Sequence, residues 1–177
     1  MKWLNRIYRE PWLLPFLIAL NSGIEPSARE LSRYLGVRTK VAKRGLWILK
    51  KEGILEGDGL RLDVSSWLTH QRIWHAGKIV VWELKNGYTV IIVRPKRIRC
   101  SYVTKSTLKL IKAYLSGITD GFTVRHLPQG LNVSPKIVSS ALRVLWAMGL
   151  LKREKGRYRV RDSLQNEKSR PPGDVCS

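Results

Sequence analysis

The feature that most constrains the fold of this chain is an internal repeat. When the 177-residue sequence is compared with itself at an offset of 96 residues, positions 31–55 align with positions 127–151, and eight of these 25 pairs are identical. The identical pairs are Leu31/Leu127, Leu35/Leu131, Val37/Val133, Lys40/Lys136, Leu46/Leu142, Leu49/Leu145, Gly53/Gly149 and Leu55/Leu151. Because a repeated sequence indicates a repeated structural unit, the chain is predicted to contain two copies of one unit, over about 12–64 and 104–162.

Each copy has the same predicted order of elements. An apolar helix comes first, over 12–21 in copy one and 106–116 in copy two. A short second helix follows, and Ser27 lies three residues before Glu30, which is the spacing of a capping box; Thr123 has the corresponding place in copy two. The third helix is the longest, over 38–52 in copy one, and a β-hairpin of alternating apolar residues follows it.

The turn and the core of each copy can also be predicted. Gly36 and Asn132 lie between helices two and three, and these residue types tolerate the left-handed conformation that ends a helix. Leu49 and Leu145 are predicted to be buried where helix three crosses helix one. Pro128 disfavours helix at Leu127, so helix two of copy two is predicted to be short or kinked.

Three helices closed by a β-hairpin form the pattern of a winged helix-turn-helix. The stretches ARELSRYLGVRTKVAKRGLWILKKEGIL, from residue 28, and TVRHLPQGLNVSPKIVSSALRVLWAMGLL, from residue 123, resemble winged-helix domains of bacterial and archaeal regulators. The resemblance extends over about 110 of the 177 residues. It implies an α+β fold with two winged helix-turn-helix domains, and DNA binding as the function.

The segment between the copies has a different pattern. A helix capped by Ser65 or Ser66 is predicted over 63–74, and β-rich runs at 78–84 and 88–93 flank Asn86-Gly87, a strong hairpin signal. The predicted division is therefore an N-terminal winged helix with a following helix over 1–75, a small antiparallel β segment over 76–103, a C-terminal winged helix over 104–163, and a disordered tail over 164–177.

The charge of the chain favours a polyanionic partner. Thirty-three Lys and Arg residues stand against 13 Asp and Glu, a formal net charge of +20, so nucleic acid is the first candidate partner and an anionic membrane surface the second. The longest apolar stretch, at 12–20, is too short to span a bilayer and contains Pro15. Pro11, Pro15 and Glu10 also argue against a signal peptide, so a cytoplasmic location without membrane insertion is predicted.

The predicted DNA-binding residues of the third helices lie opposite their apolar faces. In copy one they are Arg38, Thr39, Lys40, Lys43 and Arg44, with Trp47 on the same face, and in copy two they are Ser134, Lys136, Ser139, Ser140 and Arg143. A helix-turn-helix places its third helix in the major groove, where Arg reads guanine and Lys contacts phosphates. The alternative is that these faces are simply solvated.

The two hairpins differ in charge. The first contains Glu56 and Asp58, which phosphates would repel, whereas the second contains the cations Lys152, Arg153, Lys155, Arg157 and Arg159. A basic hairpin can lie along the DNA backbone or in the minor groove, so the second is predicted to contact DNA and the first is not. For the basic run at 94–99, phosphate contact and protection of an edge strand remain equal alternatives.

Tryptophans indicate candidate interfaces. Trp47 projects from the predicted DNA-facing side of helix three, and exposed Trp is typical of contact surfaces. The strand at 78–84 is apolar on both faces and needs cover. We therefore expect the 76–103 sheet to offer a homodimer surface with Val81 and Trp82 near its centre.

No motif for catalysis, metal binding or a cofactor is present in the sequence, so we expect neither an enzyme nor a metalloprotein. The favoured function is double-stranded DNA binding, as a transcriptional regulator or as a replication or plasmid-maintenance factor. One alternative is a tandem winged-helix scaffold that binds other proteins in a transcription or chromosome complex. A second alternative is RNA or ribosome binding.

Overall fold

The computed structural model describes residues 2–118, 121–127 and 131–161 and has an α+β fold. Its residues pack into two compact units. Residues 2–84 and 89–101 form the N-terminal unit, and residues 85–88 with the described residues between 102 and 161 form the C-terminal unit. The predicted tail at 164–177 lies outside the described residues.

The N-terminal unit begins with four helices. They are α1 (Lys2–Arg9), α2 (Leu14–Asn21), α3 (Ala28–Leu35) and α4 (Thr39–Lys51), and a 3₁₀ turn (Pro11–Leu13) precedes α2. The helix predicted over 12–21 is therefore confirmed, except that its first residues form the 3₁₀ turn. Helix α1 was not predicted; it buries Trp3 and Ile7, which are four residues apart and share one face.

The connection from α3 to α4 follows the predicted chemistry. The Ser27 hydroxyl oxygen accepts a hydrogen bond from the Glu30 backbone N–H at 3.2 Å, as an N-cap does. Gly36 has a φ of 65° and ends α3 in the left-handed region. In the other unit, Asn132 does not adopt a positive φ, so that part of the prediction is wrong.

The hairpin after α4 consists of β1 (Leu55–Glu56) and β2 (Gly59–Leu60), and α5 (Leu62–Thr69) follows directly. The helix predicted over 63–74 with a serine cap is wrong at both ends, because Arg61 is the N-cap residue and a strand begins at Ile73. Asp63 in the first turn of α5 accepts hydrogen bonds from the Arg61 guanidinium and from the Trp3 indole at 3.0 Å. An acidic side chain there stabilises the helix start.

A four-stranded sheet completes the N-terminal unit, in the order β3-β4-β5-β6. The strands are β3 (Ile73–Ala76), β4 (Ile79–Leu84), β5 (Gly87–Arg94) and β6 (Arg97–Thr104). The predicted sheet is thus real but begins three residues earlier, at Ile73. Most of its residues belong to the N-terminal unit, which differs from the predicted separate segment at 76–103.

The expectation that Val81 and Trp82 lie at the centre of an exposed sheet surface is wrong. Val81 and Trp82 are both fully buried within one chain. The Trp82 ring stacks on Tyr8 of α1 at 5.3 Å between ring centroids and contacts Trp67 of α5 edge-on at 5.5 Å. The helices of the same unit therefore provide the cover that the apolar strand needs around Trp82.

The C-terminal unit contains α6 (Lys105–Leu115), a 3₁₀ turn (Val124–His126), α7 (Pro135–Ala147), and a hairpin of β7 (Leu151–Glu154) and β8 (Arg157–Val160). The first helix agrees with the prediction and is capped by the Thr104 hydroxyl. The described part of the predicted second helix is one 3₁₀ turn, as the proline effect predicts, and Pro128 itself lies outside the described residues. Phe122 extends the hairpin, because its backbone exchanges two hydrogen bonds with Tyr158.

The junction between the long helix and the hairpin has the same backbone hydrogen bonds in both copies of the repeat. The Ile54 N–H donates to the Leu49 carbonyl, and the Leu150 N–H donates to the Leu145 carbonyl, both at 2.9 Å. Each hairpin is then closed by an arginine N–H, Arg61 to Ile54 and Arg161 to Leu150, both at 3.1 Å. Arg61 comes seven positions after Ile54, whereas Arg161 comes 11 positions after Leu150. The β7–β8 hairpin is therefore four residues longer than the β1–β2 hairpin.

Candidate nucleic-acid interface

Helix α4 has one buried face and one basic, exposed face. Ala42, Gly45, Leu46 and Leu49 are buried against the rest of the N-terminal unit. All six residues that the sequence analysis assigned to the opposite face are exposed: Arg38, Thr39, Lys40, Lys43, Arg44 and Trp47. The Trp47 side chain is 59% exposed, and the Lys51 Nζ lies 4.8 Å from the centre of its ring. The predicted faces of this helix are therefore correct.

The turn between β5 and β6 lies beside the start of α4. The Arg38 N–H donates to the Pro95 carbonyl at 2.8 Å, which joins the N-cap residue of α4 to this turn. The neighbouring side chains line a cleft of about 340 Å³; its lining residues are Trp12, Lys40, Val41, Arg44, Lys96, Arg97 and Ile98. Four cationic side chains, two from the helix and two from the turn, thus share one cleft.

No carboxylate in the described part of the chain neutralises the charges in this cleft. Among the described residues, no Asp or Glu lies within ion-pair distance of Lys40, Arg44, Lys96 or Arg97. The Arg44 guanidinium instead lies 5.6 Å from the centre of the Trp12 ring. Uncompensated cations close to one another repel, so this cleft favours an anionic ligand.

Sequence reasoning missed this juxtaposition. The basic run at 94–99 and the helix face were identified separately, and 57 residues separate Arg38 from Pro95. Their contact depends on how the sheet packs against α4, and no local pattern in the sequence reports that packing. The only signal in the sequence was that the run at 94–99 is rich in cations and contains no acidic residue.

The β1–β2 hairpin carries the opposite charge. Glu56 and Asp58 are exposed, and the only cation that the structure pairs with Glu56, within the described residues, is Arg61 at 3.8 Å. The hairpin loop consists of two residues, Gly57 and Asp58. The first hairpin is therefore short and presents acidic side chains at its surface.

Helix α7 presents a less basic face than α4. Ser134 is the N-cap residue, Ser134 and Lys136 are exposed, and Ser139 and Arg143 are half-buried. Ser140 does not belong to this face, because its side chain is buried and its hydroxyl donates to the Lys136 carbonyl at 3.1 Å. Its assignment as a DNA-facing residue is wrong.

The β7–β8 hairpin concentrates the charge of the C-terminal unit. Its five cations are all exposed: Lys152, Arg153, Lys155, Arg157 and Arg159. The strand register places Lys152 directly opposite Arg159, and like charges in that relation are destabilising. The Arg153 guanidinium lies 5.5 Å from the Trp146 ring centre and 5.6 Å from that of Tyr158, so aromatic rings position it.

At the tip of this hairpin, Lys155 and Gly156 have φ angles of 45° and 82°. Two successive positive φ angles are typical of the tight turn that suits the twist of a β-hairpin. The Lys155 side chain is exposed at that tip. The hairpin therefore ends in a cationic side chain.

Other site classes receive no support from the described residues. No group of three or more His, Cys, Asp or Glu side chains there could hold a metal ion. No helix in the described ranges is long and apolar enough to cross a membrane.

Comparisons with known proteins do not identify the chain. No protein-family model, no curated protein and no solved structure matches it significantly. Any functional assignment therefore depends on the residues and their geometry.

Proposed function

We propose that this chain is a double-stranded DNA-binding protein built from two winged helix-turn-helix units. The order of α2, α3 and α4 before the β1–β2 hairpin supports this assignment for the N-terminal unit. In the C-terminal unit, the order of α6, the 3₁₀ turn and α7 before the longer hairpin supports it, as does the strand pairing of Phe122 with Tyr158. Regulation of transcription, or a role in replication or plasmid maintenance, is the proposed purpose of binding.

The observation that carries the proposal is the basic face of α4 together with its cleft. The major groove of DNA admits an α-helix, and the exposed cations at the start of α4 are the residue types that contact phosphates and guanine there. Lys40 and Arg44 are one helical turn apart, so they point to the same side. The absence of ion-pair partners for them among the described residues leaves both side chains available to an anion.

The C-terminal unit has a different proposed contact. Its helix α7 offers mainly Ser134, Lys136 and Ser139, whereas its hairpin offers five exposed cations. A basic hairpin can follow the phosphate backbone or enter the minor groove. We propose that α4 and the β7–β8 hairpin supply most of the binding free energy.

A salt titration of binding tests the proposal. Affinity for a duplex should fall steeply with salt, with a slope of log K against log salt of magnitude at least about 4, because each neutralised phosphate contributes about 0.9. The double variant K40Q/R44Q should reduce that slope by about 1.8. The matched control K2Q/R9Q removes two exposed cations from α1 and should leave the slope unchanged.

The same titration with single strands and RNA compares the alternatives. Preference for a duplex DNA over both supports the proposal, whereas equal or tighter binding of RNA favours the RNA alternative. A slope near zero contradicts nucleic-acid binding altogether. The scaffold alternative is favoured by the exposure of Trp47, and it predicts that Trp47→Ala abolishes capture of a partner protein while the affinity for DNA stays the same.

A further inference from the structure

We infer that the β5–β6 turn, residues 94–97, is a second DNA-contacting element of the N-terminal unit and binds phosphates of the duplex backbone beside α4. This inference rests on the proposed function. It assigns to the turn a role that the β1–β2 hairpin of the same unit cannot perform. The partner is the backbone of duplex DNA, and the recognising groups are Arg94, Lys96 and Arg97.

The position of the turn is fixed relative to α4. The 2.8 Å hydrogen bond from the Arg38 N–H to the Pro95 carbonyl joins backbone to backbone, so it does not depend on any side chain. Lys96 and Arg97 consequently share the cleft with Lys40 and Arg44. A phosphate strand that borders α4 would meet cations from both elements.

The charge of the turn is not explained by protection of a sheet edge. Strand β6 is at the end of the strand order, so Arg97 and Arg99 lie on an edge strand and could prevent its association with other chains. Arg94, however, ends the interior strand β5, and Lys96 lies in the turn itself. Protection of the sheet edge therefore explains only Arg97 and Arg99. Phosphate contact also explains why Arg94 and Lys96 are cationic.

A comparison of the β1–β2 and β7–β8 hairpins supports phosphate contact by the β5–β6 turn. The β7–β8 hairpin carries five exposed cations, while the β1–β2 hairpin is four residues shorter and carries exposed Glu56 and Asp58. Phosphates repel carboxylates, so the first hairpin is unsuited to the backbone. The β5–β6 turn has four residues, all exposed, of which three are cationic.

A phosphate-contacting turn has a specific binding signature. Phosphate contacts carry no sequence information, so their loss weakens binding to all duplexes alike. Loss of Lys96 and Arg97 should reduce the salt slope by about 1.8, which corresponds to about 30-fold weaker binding at about 0.15 M salt if affinities are equal at about 1 M. Substitutions of α4 residues that contact bases should instead weaken binding to the selected duplex more than binding to a random one.

The experiment compares K96Q/R97Q with K2Q/R9Q and with E56Q/D58N in the full chain, on a selected duplex and on a random one. We expect K96Q/R97Q alone to lose affinity, by the same factor for both duplexes. Its melting temperature should stay unchanged because both side chains are exposed. A wild-type slope in K96Q/R97Q overturns this inference but leaves the proposed function standing. Absence of wild-type binding overturns both proposals.

A proximity measurement gives an independent test. An iron chelate that cleaves DNA is attached to Lys96→Cys, or to Asp58→Cys, in a chain whose Cys100 and Cys176 are changed to serine. Cleavage of the bound duplex from position 96 and none from position 58 is the expected result. Cleavage from position 58 alone overturns the inference.

Discussion

The two copies of the repeat share the same backbone junction between their long helix and their hairpin, but they place their charge on different elements. In the N-terminal unit the cations lie on α4 and on the β5–β6 turn, and the β1–β2 hairpin is acidic. In the C-terminal unit the hairpin is basic, and the corresponding face of α7 carries two serines, one lysine and one half-buried arginine. Most buried positions of the long helix agree between the copies, whereas most exposed ones differ; the exposed Arg44 even corresponds to the buried Ser140. Packing therefore constrains this repeat more tightly than its surface does.

The largest expected effect tests whether the two cores are equivalent. Leu49 and Leu145 are fully buried at corresponding positions of α4 and α7. Leu49→Ala and Leu145→Ala should each lower the free energy of unfolding by about 2–5 kcal/mol, because each leaves a cavity. Urea denaturation measures this, and Trp47→Ala at an exposed position is the control. Unchanged stability in either leucine variant would show that the units are packed differently.

A smaller effect tests one place where the cores differ. Gly45 in α4 corresponds to Ala141 in α7, and a Cβ at position 45 would lie 3.1 Å from the buried Phe16 ring. Gly45→Ala should cost about 1 kcal/mol net, because overpacking against Phe16 exceeds the gain in helix propensity. Ala141→Gly should also destabilise, by about 1 kcal/mol from helix propensity alone. A stabilised Gly45→Ala variant, measured by thermal unfolding, would mean that Phe16 can move aside.

The smallest effect separates stability from binding in the basic hairpin. Lys152 lies directly opposite Arg159, so Lys152→Gln should raise the free energy of unfolding by about 0.2–1 kcal/mol. The same substitution should lower the salt slope of DNA binding by about 0.9 if Lys152 contacts a phosphate. Unfolding curves and salt titrations on one preparation measure both. Effects of the same sign would contradict our account of this pair.

The sequence was sufficient for the parts of the fold that depend on local patterns. The period of apolar residues in α4 predicted both its buried and its exposed face, and Ser27 and Gly36 predicted where α3 begins and ends. These features involve residues close together in the chain. The repeat strengthened them, because the same pattern occurred twice.

Features that depend on distant contacts were not predictable in this way. The apolar strand β4 was predicted correctly, but its cover was not, since Tyr8 and Trp67 lie far from Trp82 in sequence. At the start of α5, Asp63 accepts a hydrogen bond from the Trp3 indole, 60 positions away, and no local pattern reports that contact. The contact of Arg38 with Pro95, which builds the candidate site, likewise depends on how the sheet packs on the helix.

The tip of the β7–β8 hairpin has a consequence for any attempt to engineer this protein. Lys155 has a φ of 45°, a conformation that costs a residue with a Cβ about 1–2 kcal/mol and that Asn or Gly adopts more readily. A designer who optimised the turn alone would therefore replace this lysine and obtain a more heat-resistant chain. The same change would remove the outermost charge of the hairpin. Under the proposed function, the most thermostable sequence for this backbone and the tightest DNA binder are consequently two different sequences.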